Sequence, residues 1–109
     1  MKTTTVLPSA VEEQLRRIGR GIRTARMRRR MTQEELATRI DASWQTVRKM
    51  EHGAPGTGIG VYLKALWVMG LWQDVDLIAD PQRDREGLVL EAARLGKLVR
   101  PKREMNRDF

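Results

Sequence analysis

This sequence predicts an all-α fold, a compact bundle of five to six helices built around a helix-turn-helix. Three observations lead there. No stretch alternates apolar and polar residues with the period of two that a half-buried strand needs. Apolar residues recur instead at three- and four-residue spacings nearly throughout the chain. Residues 31–53, MTQEELATRIDASWQTVRKMEHG, carry start and stop signals for two short helices in succession.

Residues 1–10 read as a mobile arm, with Pro8 and Ser9 just ahead of a helix. The first helix spans about Val11 to Arg29, and Leu15, Ile18, Ile22 and Ala25 mark its buried stripe. Thr32 caps the second, where Glu35 completes a capping box and Leu36, Ala37 and Ile40 form one apolar face. Asp41 and Ala42 make a tight turn. Ser43 caps the third helix, whose Val47 and Met50 face the second, and Gly53 ends it in the left-handed role that glycine fills cheaply. Ala54-Pro55-Gly56-Thr57-Gly58 is a loop by composition. A fourth helix places Ile59, Leu63 and Leu66 inside and stops at Gly70. A fifth runs from Leu71 to Ala79, ahead of Asp80-Pro81. A sixth spans about Asp84 to Leu98, with Leu88, Ala92, Leu95 and Val99 on one side. The closing PKREMNRDF reads as a flexible tail. In domain terms, an arm (1–10) precedes a helix-turn-helix domain (11–80), a helical extension (81–100) and a tail (101–109).

Composition narrows the function. The 109 residues favour one core, and a net charge of +7 with a pI near 10.8 points to a polyanionic partner. Without cysteine there is no disulfide frame or thiolate metal site, and His52 alone cannot build a metal centre. No apolar run approaches the ~20 residues of a membrane span, and MKTTTVLPSA lacks a signal-peptide core. A cytoplasmic protein without membrane attachment is the expectation. Few aromatics argue against single-strand binding by base stacking. No Ser–His–Asp set, HExxH or apolar carboxylate pair is present, so no catalytic residue, metal or cofactor is expected. The loop GAPGTGIG lacks the lysine of a phosphate-binding loop and follows no strand. Charge is also segregated. Eight arginines and no acid lie between Glu13 and Glu34, residues 74–91 turn acidic, and residues 94–109 are basic again. That order suggests two different partner surfaces.

Two short helices joined by a tight turn form the motif that lays its second helix in the DNA major groove. The run IGRGIRTARMRRRMTQEELATRIDASWQTVRKMEHG resembles the Xre-type helix-turn-helix domain of phage repressors (lambda repressor and Cro) and many bacterial regulators. The resemblance covers about Ile18 to Leu71. It rests on Gln33 opening the second helix, the Glu35-Leu36-Ala37 step, the short turn and the Glu51-x-Gly53 exit. Asp41 departs from the family's usual glycine, though aspartate tolerates the left-handed region better than most residues. A second likeness is to HipB-like antitoxins, small Xre-type repressors encoded beside HipA-type kinase toxins. It lies in GIGVYLKALWVMGLWQDVDLIADPQRDREGLVLEAARLGKLVR, an apolar helix followed by an acidic segment with an Asp-Pro step and a basic end.

The family register points Trp44, Gln45 and Lys49 at base edges. Gln45 suits adenine N6 and N7, and Lys49 suits guanine O6 or N7. Trp44 offers apolar contact with a thymine methyl and a donor bond from its indole nitrogen, or else packs on the protein's own surface. Gln33, Ser43, Thr46 and Arg48 are expected at phosphates, with Arg28, Arg29 and Arg30 where the backbone would pass. Ser43 and Thr32 also act simply as caps, worth ~1 kcal/mol each. Arg16 and Arg17 read as a solvated face. The family pattern pairs an arginine with a glutamate at Arg26 and Glu51, tying the first helix to the third. Trp67, Leu71, Trp72, Leu77 and Ile78 are candidates for a homodimer interface. Met105 and Phe109 in the tail are either incidental or anchors on a partner.

The resemblance therefore implies a dimeric, sequence-specific repressor of double-stranded DNA with an inverted-repeat operator. It would be the antitoxin of a toxin–antitoxin pair that autoregulates its operon and neutralises a HipA-like kinase toxin. The alternative is a stand-alone Xre-type regulator of a phage or mobile element. A protein-binding adaptor without DNA contact has no need of eight arginines beside the motif.

Overall fold

The structure, a computed structural model, describes residues 6–99. Five α-helices carry the chain: α1 (Ser9–Arg28), α2 (Gln33–Arg39), α3 (Trp44–Glu51), α4 (Ile59–Val68) and α5 (Arg85–Val99). Two 3-10 segments, Trp72–Leu77 and Pro81–Arg83, lie between α4 and α5. Among the described residues there is no strand. The protein is all-α. No described helix is long and apolar enough to cross a membrane. The chain divides after Gln73 into two compact units, earlier than the boundary expected after residue 80. The arm read over residues 1–10 lies partly outside the described residues, and α1 already includes Ser9 and Ala10. The tail lies wholly outside them.

In the first unit, Ile22, Leu36, Ile40, Val47 and Met50 are fully buried, and Tyr62, Ala65 and Met69 join them from α4. Each large aliphatic side chain so buried contributes ~1.5–3 kcal/mol. Helix α1 departs from the expected stripe. Ile18 is 41% exposed, and Gly19 occupies the contact face beside Ile22, Ala25 and Arg26. The reason is close approach. A Cβ at Gly19 would sit 2.6 Å from the carbonyl oxygens of both Met50 and Glu51, so only glycine lets α1 cross the end of α3 here. Gly53 repeats the device with the roles exchanged. Its φ is +74°, and a Cβ there would lie 2.7 Å from the backbone nitrogen of Arg16. Helix α4 also turns away from its expected face, since Ile59 is exposed while Tyr62, Ala65 and Met69 are inside. Its sequence is apolar on nearly every side, so periodicity does not single out a buried stripe.

The caps are as the sequence predicts. Glu35 N–H donates to Thr32 Oγ1 at 3.0 Å, and Thr32 N–H donates to Glu35 Oε1 at 2.7 Å. Ser43 Oγ accepts from Thr46 N–H at 3.1 Å. Helices α1 to α4 all end through a left-handed residue: Arg30, Asp41, Gly53 and Gly70. Each time the next N–H reaches back five residues, as Ala42 N–H does to Ala37 O at 2.9 Å. Asp41, at φ +55°, holds the α2–α3 turn in that conformation.

Across the division between the units, the helix expected over Leu71 to Ala79 is shorter and tighter, a 3-10 segment over Trp72–Leu77. It lies between left-handed Gly70 and Ala79 and, unlike α2 and α3, buries no side chain, so no tertiary packing rewards a longer α-helix. Asp80 Oδ1 accepts from Gln82 N–H at 3.0 Å, and Asp84 Oδ1 accepts from Gly87 N–H at 2.9 Å to start α5. No described side chain from residue 74 to 97 is buried, Leu88, Ala92 and Leu95 of the expected apolar side of α5 included, and the side chain of Val99 lies outside the described residues.

The close approach at Gly19 makes a sharp comparison. Gly19→Ala should lose ~1–3 kcal/mol of stability by overpacking. Gly21→Ala, with nothing within 4 Å of the new Cβ, should be neutral or gain ~0.5–1 kcal/mol. Urea unfolding followed by helicity checks this, and equal midpoints for the two variants would contradict the contact.

Candidate nucleic-acid interface

Helix α3 turns Val47, Met50 and Glu51 inward. Its other face exposes Trp44, Gln45, Arg48 and Lys49, while Thr46 is half-buried. Gln45 and Lys49 stand four residues apart, about 6 Å along the helix axis. Neither forms a side-chain hydrogen bond or ion pair among the described residues. Two open grooves adjoin this face of α3. One is lined by Thr46, Lys49, Ala54, Thr57, Gly58 and Val61. The other lies between Arg23, Arg30, Met31, Thr32, Gln33 and Trp44.

What fixes α3 in place is a buried pair. Arg26 Nε–H donates to Glu51 Oε2 at 2.6 Å, and Arg26 Nη2–H donates to Glu51 Oε1 at 3.0 Å. Both side chains are almost wholly removed from water. Arg26 Nη1–H donates to Met31 O at 2.8 Å, so the guanidinium also holds the segment leading into α2. Fork-to-fork geometry of this kind is the strong form of the charged hydrogen bond.

The pair extends outward. Gln33 Nε2–H donates to Glu51 Oε1 at 2.9 Å, and Trp44 Nε1–H donates to Gln33 Oε1 at 2.9 Å. These bonds engage two of the residues expected at DNA. Gln33, expected at a phosphate, has both ends of its amide bonded inside the protein, with one N–H remaining. Trp44, expected to donate to a base, gives its only donor to Gln33. The Arg48 guanidinium sits over the Trp44 ring, 5.7 Å from its centroid. No local signal in the sequence reveals these partners, because they join residues 11 to 25 positions apart.

Apart from Arg26, the arginine run divides into four. Arg29, expected at a phosphate, donates instead to Ala25 O at 2.8 Å and to Met69 O at 2.9 Å, tying α1 to the end of α4. Its guanidinium is held by carbonyls. Arg28 and Arg30 are exposed and make no side-chain hydrogen bond or ion pair among the described residues. Arg16 and Arg20 bond Glu13, with Arg17 at 3.9 Å. That carboxyl is held below its ordinary range, first by the Arg20 hydrogen bond and then by the surrounding guanidinium charges. Arg23 lines the Trp44 groove, a place the sequence reading did not give it. Ser43 and Thr46 bond each other through their hydroxyls at 2.9 Å beside the cap.

The dimer candidates are all exposed. Trp67 (66%), Leu71 and Trp72 lie in the first unit, and Leu77 and Ile78 in the second. Tyr62, by contrast, is buried with its hydroxyl unpaired, and burial pushes its phenol upward. Among the described residues, no group of His, Asp or Glu is arranged to hold a metal. No protein-family model, curated protein or solved structure matches the chain.

Glu51→Ala should cost ~3–5 kcal/mol, because it strands a buried guanidinium. The double variant Arg26→Met/Glu51→Leu should recover much of that loss, since it removes both charges at similar volume. Chemical denaturation of both variants reads the difference. A Glu51→Ala protein as stable as the parent would show that the pair does not hold α1 to α3.

Proposed function

We propose that the protein is a sequence-specific repressor of double-stranded DNA, acting as a homodimer on an inverted-repeat operator. The observation that carries this reading is the exposed face of α3. Two doubly hydrogen-bonding side chain types, an amide at Gln45 and an ammonium at Lys49, stand on a capped helix whose first residue, Trp44, shares a groove with exposed Arg23 and Arg30, and Arg28 is exposed as well. The amide suits adenine and the ammonium suits guanine in the major groove. The arginines and the hydroxyls of Ser43 and Thr46 suit the phosphates that set register. One helix of this length reads too few base pairs alone, so two copies should meet half-sites about 34 Å apart. The exposed Trp67, Leu71 and Trp72 offer apolar surface for that pairing.

The finer reading is an antitoxin that represses its own operon and neutralises a HipA-like kinase toxin. Its support is the HipB-like order of segments together with the apolar residues that the second unit leaves exposed, such as Val89 and Leu90. Residues 74–91 are acidic and poorly suited to DNA, which favours a protein partner on that stretch.

Selection from a random duplex library should enrich an inverted repeat, with affinity falling steeply as salt rises. Gln45→Ala and Lys49→Ala should each lose ~1–3 kcal/mol and relax preference at one base pair per half-site. Arg28→Ala and Arg30→Ala should weaken all sequences alike and each flatten the salt slope by about 0.9. No enriched motif would count against DNA reading, and monomer alone in sedimentation at micromolar concentration would count against the dimer.

The product of the neighbouring gene should co-purify as a complex that still binds operator. Deleting residues 101–109 should weaken that complex and spare DNA binding by the dimer. If no neighbour co-purifies, the stand-alone regulator is the better reading.

A further inference from the structure

Trp44 opens α3, where a base-reading side chain is expected, yet its polar atom faces the protein. Its indole N–H donates to Gln33 Oε1, and Gln33 Nε2–H donates to Glu51. This leaves Gln33 one workable orientation. Turned over, its amide would set N–H against the indole N–H and its carbonyl against a carboxylate. Trp44 is therefore anchored through Gln33 to the buried Arg26–Glu51 pair. An indole has one donor and no acceptor. To donate to a base it would have to abandon Gln33 and release that amide as well.

One turn further along the same helix, the Arg48 guanidinium lies over the indole ring. Contact with a ring face uses the cation's charge and leaves its N–H donors available. Arg48 is exposed and forms no ion pair among the described residues. A free arginine side chain loses rotamer freedom when it is fixed on a ligand. A ring already anchored to the core removes part of that loss before the ligand arrives.

We propose that Trp44 is a positioning residue that seats Arg48 for a DNA phosphate and does not itself read a base. This rests on the DNA-binding reading given above. The base-reading set of α3 then contracts to Gln45 and Lys49, and Arg48 is a preorganised backbone contact.

The test compares the full-length protein with Trp44→Ala, Arg48→Ala and the double variant on the selected operator over a range of salt. Trp44→Ala should weaken binding about two- to fivefold, the worth of an exposed cation–π contact. Its salt slope should move toward that of Arg48→Ala, and the double variant should bind no more weakly than Arg48→Ala alone. The preferred base sequence should not change. If Trp44→Ala instead changes the preferred base at one position, keeps the parent salt slope and adds fully to Arg48→Ala, Trp44 reads a base and the proposal falls.

A second measurement needs no DNA. Ring current from Trp44 should shift the Arg48 side-chain proton resonances upfield in the free protein. The shift should vanish in Trp44→Ala and shrink in Gln33→Leu. Unshifted Arg48 resonances in the parent protein overturn the seat, whatever the DNA results. If the parent protein prefers no duplex sequence, the DNA-binding reading falls and takes the phosphate role with it. An observed ring-current shift would then show that the failure lies in that reading and not in the seat.

Discussion

Arg26 and Glu51 face each other across 2.6 Å in the interior of the first unit, and three helices take their places from that contact. The guanidinium belongs to α1 and the carboxylate to the last turn of α3. The third nitrogen of the guanidinium, Nη1, holds Met31 O, and Gln33 brings in the first turn of α2. A buried pair of this kind adds little net stability over apolar residues of equal volume. What it supplies is direction. Apolar packing among Ile22, Leu36, Val47 and Met50 tolerates rotation and sliding. A bidentate ion pair tolerates neither without stranding charge.

Gly19 and Gly53 complete this constraint. For the pair to close, the backbone of α1 has to approach the end of α3 until no Cβ fits between them. The same two helices are thus fixed by a charged contact at Arg26 and by bare backbone contact about two to three turns earlier in α1, at Gly19 and Arg16. Arg29 adds a third tie, to the carbonyl of Met69, the residue that caps α4. The surface of α3 is presented from a rigid base, and the exposure of Gln45 and Lys49 follows from the inward direction of Val47, Met50 and Glu51.

How much of this was legible in the sequence depends on the range of the interaction. Local rules sufficed for the caps at Thr32 and Ser43, the left-handed turn at Asp41 and the buried faces of α2 and α3. The Arg26–Glu51 pair came from a family resemblance, not from spacing. Ile18 and Ile59 were misplaced for two different reasons. A glycine contact is invisible to apolar periodicity, and α4 is apolar nearly all round. Arg29, Gln33 and Trp44 looked available because the sequence shows their chemistry but not their partners. A side chain that can hold a phosphate can equally hold a carbonyl or a carboxylate, and the choice is made by tertiary packing.

The placement of the tryptophans has an optical consequence. Trp44, Trp67 and Trp72 are 39%, 66% and 47% exposed, and of the described aromatic residues only Tyr62 is buried. Indole emission follows the polarity around the ring, and unfolding usually reports itself by moving a buried indole into water. Here no indole begins in the core. The protein's intrinsic fluorescence originates at its surface, where it responds to whatever covers Trp44 or Trp67. Loss of the core is read most directly in backbone dichroism, and a change in indole emission reports on what covers the surface around these rings.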